Sequence, residues 1–205
     1  ASNNTAVGYV ALGANTTGAE NTAVGMQSLD ANTTGSSNSG MGVNTLTSNT
    51  EGDNNTAVGR DALQNNTTAD DNTAVGRSAL AANTTGTENV AVGKGALDAA
   101  TTGNYNTGIG TGALSDHTTG SDNTAVGRNA LGSNTTGDDN TAVGKSALVL
   151  NTTAGSSVAI GDSAGYSQTT NGQNVFVGKS AGYYTDGYKN CYVGFNAGDA
   201  MTTGD

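Results

Sequence analysis

A chain of 205 residues with only 34% hydrophobic and 12% charged residues does not read as one ordinary globular domain of that length. Its formal charge of −10 argues against nonspecific nucleic-acid binding through phosphate, and its single cysteine, Cys191, rules out an intrachain disulfide. No apolar run approaches the ~18 residues of a membrane span.

Such polarity would suggest disorder, but the charge per residue is low and the apolar residues are strictly placed. They are placed by a phrase, Asn-Thr-Ala-Val-Gly, that first occupies Asn4 to Gly8 and returns every 17 residues. A period this short means one small structural unit stacked on itself. With the first Asn as position 1, units begin at Asn4, Asn21, Asn38, Asn55, Asn72, Asn89, Asn106, Asn123, Asn140, Ser157, Asn174 and Asn190, the last step being 16 residues. Residues 4–156 are regular units, with Ala-Leu at positions 8 and 9 in most of them and Asn-Thr-Thr-Gly, or a one-residue variant of it, at positions 12 to 15. Residues 157–205 are variants: Leu at position 9 gives way to Gly165, Gly182 and Gly198, and position 3 becomes Phe176 and then Tyr192. Because the chain starts and stops inside a repeat, residues 1–205 are expected to form a single solenoid segment of a longer chain.

Seventeen residues with two glycine corners are too short for two helices and a turn, so the expected fold is all-β: a parallel β-solenoid of about 12 coils. Positions 2 to 4 read as a short strand. Period-two alternation then places positions 2 and 4 (Thr and Val) on the core side and position 3 on the other face. On this reading the small residues Ala6, Ala23, Ala57, Ala74, Ala125 and Ala142 are candidates for close packing against a neighbouring chain. Gly8, Gly25, Gly59, Gly76, Gly127 and Gly144 make the corner after the strand, where glycine alone turns at no steric cost. Asn4, Asn21, Asn55, Asn72, Asn123 and Asn140 form a ladder whose amides bond the adjacent coils, as do the Asn residues at position 12.

Charge also falls in columns. Six of the seven basic residues sit at position 6, and nine of the seventeen acids at positions 16 and 17. These stripes either pair between copies or are two solvated corners, since exposed pairs contribute little. No catalytic constellation is present: His117 and Cys191 lie in different units far apart in the stack, and no second histidine completes a triad. Asp-rich turns such as Asp70-Asp71 offer oxygen ligands of the kind calcium takes, but the Gly-Gly-x-Gly-x-Asp calcium repeat is absent, so no cofactor is expected. Cys191 takes a strand position read as inward, and so as a small buried hydrophobe. His117 stands in the position-12 Asn column, as a satisfied substitution or, on a symmetry axis, a metal ligand. Tyr166, Tyr183, Tyr184 and Tyr188 either stack on a surface glycan or widen the last coils.

The Ser157-Val-Ala-Ile-Gly161 segment followed by Ala164 resembles the head repeat of YadA-like trimeric autotransporter adhesins. The Asn-Thr-Ala-Val-Gly units, and Asn174-Val-Phe-Val-Gly178 with Ala181-Gly182, resemble repeats of bacteriophage tail fibres. The adhesin repeat is shorter, and Asn-Thr-Thr-Gly looks like an insertion into each coil. The resemblance covers the whole chain and implies a homotrimer of left-handed coils on a virion or cell surface, in host attachment. The expected role is a structural fibre segment that spaces or presents a receptor-binding tip, with no enzyme activity. The alternatives are direct binding of a host-surface glycan or protein receptor along the solenoid, or an ice-binding solenoid. Against ice binding, the Thr pair at positions 13 and 14 is adjacent, so its side chains point to opposite faces.

Overall fold

The computed structural model describes residues 1–199. Among these there is no helix, and twelve three-residue strands, from β1 (Thr5–Val7) to β12 (Cys191–Val193), form one parallel sheet in sequence order. Every strand pairs with the next at the same repeat position: Thr5 faces Thr22 and Ala6 faces Ala23. The 16-residue step between β11 (Val175–Val177) and β12 keeps this register, Val177 facing Val193, so the missing residue is absorbed outside the strand. The chain is the β-solenoid that its period predicts.

Three-residue strands leave most of each coil without regular secondary structure, yet the backbone is held almost throughout. Position 9 donates to position 8 of the following coil (Leu29 N to Thr45 O, 2.9 Å), and position 7 to position 6 of the preceding one (Gln27 N to Tyr9 O, 3.0 Å). Position 13 is bonded twice. Its N–H and its hydroxyl both donate to the Thr carbonyl one coil on, as at Thr33, whose Oγ1 lies 2.9 Å from Thr50 O. Two N–H groups find a side chain instead, the second of them in six of the described coils. That of position 1 donates to the Asn Oδ1 of the preceding coil, and that of position 16 to the side chain at position 16 of the following coil, as Ser36 N does to Asp53 Oδ1. Backbone donors need partners, and this explains why position 16 so often carries Asp, Asn or Ser.

The interior reverses the expected phase of the strand. Position 3 is the inward one: Ala23, Ala57, Ala74, Ala125 and Ala142 have no exposed surface, while Thr at position 2 is half-buried and Val at position 4 is half-buried or exposed. The alternation is as expected, but its phase is shifted by one residue, which moves every side chain to the other face. The cause is width. The coil is thin, and the far wall sends in Leu at position 9; a Cβ placed on Gly108 would lie 3.3 Å from Leu97 Cδ1. Ala or Gly fits against that Leu, while a branched residue would not, so the branched residues face out.

Eight leucines, Leu29 to Leu148, are fully buried with φ of 49–53°. The left-handed conformation costs an L-residue about 1 kcal/mol, and burying the side chain returns about 2 kcal/mol. Where the leucine goes, the core is refilled from the strand. Phe176, fully buried, occupies the space that side chains at Gly165 and Gly182 would need, and Tyr192 does the same at Gly198. Phe176 and Tyr192 therefore mark an exchange of volume inside one chain, and not a change in packing against a neighbour. A smaller exchange occurs at Gly40, where Ser28 and Thr45 replace the position-8 alanines and bond each other at 2.8 Å.

Candidate functional site

The most organised polar feature is a pair of asparagine columns at positions 1 and 12. Both amides converge on the position-15 carbonyl of their own unit: Gly35 O accepts from Asn21 Nδ2 at 2.8 Å and Asn32 Nδ2 at 2.9 Å. Asn4, Asn55, Asn72, Asn123 and Asn140 make the same contact with the position-15 carbonyls of their own units. Between coils the position-12 amides form a chain, with Asn49 Nδ2 to Asn32 Oδ1 at 2.9 Å and Asn66 Nδ2 to Asn49 Oδ1 at 2.8 Å. Nearly all of these buried groups bond within or between coils, so the columns carry no chemistry outward.

The corner glycines Gly8, Gly25, Gly59, Gly76, Gly127 and Gly144 have φ of 119–141°. Their Cα hydrogens face the carbonyl of the corner glycine in the next coil, where a Cβ would collide. The second expected glycine corner, position 15, is of another kind. Its φ is not positive, and Ala69 and Ala154 also occupy it, buried; smallness is required there for close packing, not for turning.

The candidate inter-chain alanines are corrected by their burial. Ala23, Ala57, Ala74, Ala125 and Ala142 lie inside their own coil and cannot meet another chain, and Ala6 is exposed only because its coil is the first. Cys191 is likewise exposed and not a buried hydrophobe, since position 2 faces out. His117 is fully buried; Nε2 lies 2.7 Å from Gly120 O and Nδ1 3.4 Å from Asn134 Nδ2. Those contacts assign the neutral imidazole with the proton on Nε2. Burial lowers its pKa from the usual value, opposed by the Gly120 hydrogen bond and the charge of Asp138. Among the described residues no group of three acidic, His or Cys side chains comes together as a metal site.

Two outward features remain. Tyr166 and Tyr183, at position 10 of successive units, stack at 4.7 Å with planes 6° apart, and Tyr184 meets Tyr183 edge-on at 4.7 Å. Tyr188 is exposed and takes no part in this stack. The second feature went unrecognised in the sequence because the strand was read in the opposite phase. The outer face of the sheet carries Val, Ile or Met at position 4 in every coil, with Val24 39%, Met41 47% and Ile160 43% exposed. Thr, Ser, Val or Cys at position 2 runs beside it.

Comparison with known protein families, curated proteins and solved structures returned no match.

Proposed function

We propose that the chain is a structural fibre segment, a homotrimeric rod that spaces or presents a receptor-binding tip in host attachment, outside the cell on a virion tail fibre or cell surface. The observation that carries this reading is the apolar column at position 4. It runs the length of twelve coils at about 4.8 Å per coil, on the order of 50 Å in all. A continuous, partly exposed apolar strip of this kind marks a surface that another molecule covers. The interior of a single coil, largely Ala, Leu and paired amides, is also thin for a domain that must stand alone. The resemblance to tail-fibre and YadA-like adhesin repeats supports the same assembly. A non-catalytic role is supported by the fate of the polar groups, since the buried amides and His117 are committed to holding coil on coil.

Light scattering is expected to give three times the 20.0 kDa chain mass. A stable monomer at high concentration would remove the fibre reading. It would also leave the regular Thr and Val columns open to solvent, and a thermal-hysteresis assay would then test the ice-binding alternative. Direct glycan binding is the second reading, favoured by the Tyr166–Tyr183–Tyr184 cluster. A glycan array with the intact chain and with Tyr184→Ala tests it, and equal signals from both would argue against the cluster as the site.

A further inference from the structure

The outer strand face is bracketed by charge, and in four coils an acid before the strand is matched by a base after it. Asp71 precedes and Arg77 follows β5 (Thr73–Val75); Glu88 and Lys94 flank β6 (Val90–Val92) in the same way. Asp122 and Arg128 flank β8 (Thr124–Val126), and Asp139 and Lys145 flank β9 (Thr141–Val143). Between these two pairs of coils, β7 (Thr107–Ile109) has the neutral Tyr105 and Thr111 at the same positions. All eight charged side chains are exposed. Within a coil the two members sit at opposite ends of the strand, six residues apart, a span of roughly 20 Å of extended chain. No ion pair joins them; the ion pairs among the described residues are Arg60–Asp61 and a 4.0 Å contact of Lys145 with Asp162.

We infer that further copies of this chain dock on the outer strand face, parallel and in axial register, so that the acidic margin of one copy meets the basic margin of the next at the same coil. This rests on the proposal that the chain assembles with itself, and it supplies the face and the alignment. The position-4 column lies between the margins and is covered by the contact. Offsets are disfavoured by the same residues. In register the margins make four opposite-charge pairs and no like pair. A one-coil slide in one direction leaves two (Asp71 with Lys94, Asp122 with Lys145) and sets Asp139 against Asp162. In the other direction it leaves three (Arg60 with Asp71, Arg77 with Glu88, Arg128 with Asp139) and sets Lys189 against Lys179, and like charges face to face destabilise. A three-coil offset restores opposite charges, for example Glu20 with Arg77 and Asp71 with Arg128, but uncovers three coils of the apolar column at each end. A contact with an axial offset also propagates as a helix and does not close a ring.

The test is site-directed cross-linking of the full chain in a Cys191→Ser background with a short bis-maleimide. Asp71→Cys with Arg77→Cys is expected to shift to covalent oligomers on a denaturing gel, and Asp71→Cys with Arg128→Cys to stay monomeric. Cross-linking of the second pair alone would overturn axial register. Failure of the first pair in a chain that still scatters as an oligomer would overturn the inference and leave self-assembly standing. A monomer by scattering would remove both. A second readout comes from the basic margin: Arg77→Glu with Arg128→Glu is expected to raise the concentration needed for assembly at least tenfold with an unchanged circular dichroism spectrum. An unchanged concentration would count against the docking margins.

Discussion

At the scale of single residues, the position-12 column shows what a stacked amide is worth and what its absence leaves behind. The column runs through Asn15, Asn32, Asn49, Asn66 and Asn83 and stops at Ala100. Asn83 Oδ1 is consequently buried without a hydrogen-bond partner. Ala100→Asn would place an amide within reach of it, and a typical net hydrogen bond contributes about 1 kcal/mol. A chemical denaturation midpoint that rises with an unchanged slope would confirm the gain; a fall would mean that the Ala100 site is too tight for the amide. His117 follows one coil later. Its lowered pKa means that the unfolded chain binds the proton more readily than the folded one. Its contribution is therefore complete above the unfolded value of 6.5 and is lost as pH falls toward the folded value. His117→Asn should abolish this loss. Melting curves of both proteins at neutral pH and near pH 5 should diverge in the parent and converge in the variant. Asp98, whose pKa is raised chiefly by burial, acts in the opposite sense and in the more acidic carboxylate range.

At the scale of the coil, the unit of packing is a pair of positions, 3 and 9. Ala with Leu and Phe with Gly are two solutions to one volume. Phe176→Ala is expected to cost about 3–5 kcal/mol, the usual range for emptying a buried aromatic site. Gly182→Leu alone should also destabilise, because the ring of Phe176 already fills the space its side chain needs. Combined, the two changes rebuild the regular coil. Gly182 has φ of 62°, close to the 49–53° of the native leucines, so the double variant should recover most of the loss in a thermal denaturation series. Independent losses that simply add would refute the pairing. This exchange was half legible in the sequence. The period, the Asn columns and the Gly at position 5 could be read from recurrence, because a buried amide and a crowded corner each admit few residue types. The strand's phase could not be. Alternation tells which residues share a face but not which face is inside, and the usual rule that the larger apolar residue is buried fails where the interior is one alanine wide. The role of position 16 was hidden for a related reason: an Asp beside a turn looks solvated until the N–H it serves in the preceding coil is seen.

At the scale of the molecule, the interactions form a one-dimensional chain of neighbours. Stability should then be a sum of coils and of the contacts between adjacent coils. Excising residues 72–88, one full unit, is expected to preserve the fold and shorten the rod by one coil, whereas excising half of that unit should break the register at the junction. Circular dichroism and scattering-derived length distinguish the two. The outer face provides a separate test of assembly: Val75→Lys with Val143→Lys changes only exposed side chains, so it should leave the coil folded while driving the particle toward monomer. The bonds between coils join residues about 17 apart in the chain, from Asn21 N to Asn4 Oδ1 near one end to Thr152 Oγ1 to Thr169 O toward the other. Pulled by its ends, a single released chain should therefore come apart like a roll of tape. Each coil would yield as a quantum of about 55 Å of extended chain, and a force–extension trace would show equal steps, one for every turn of the rod.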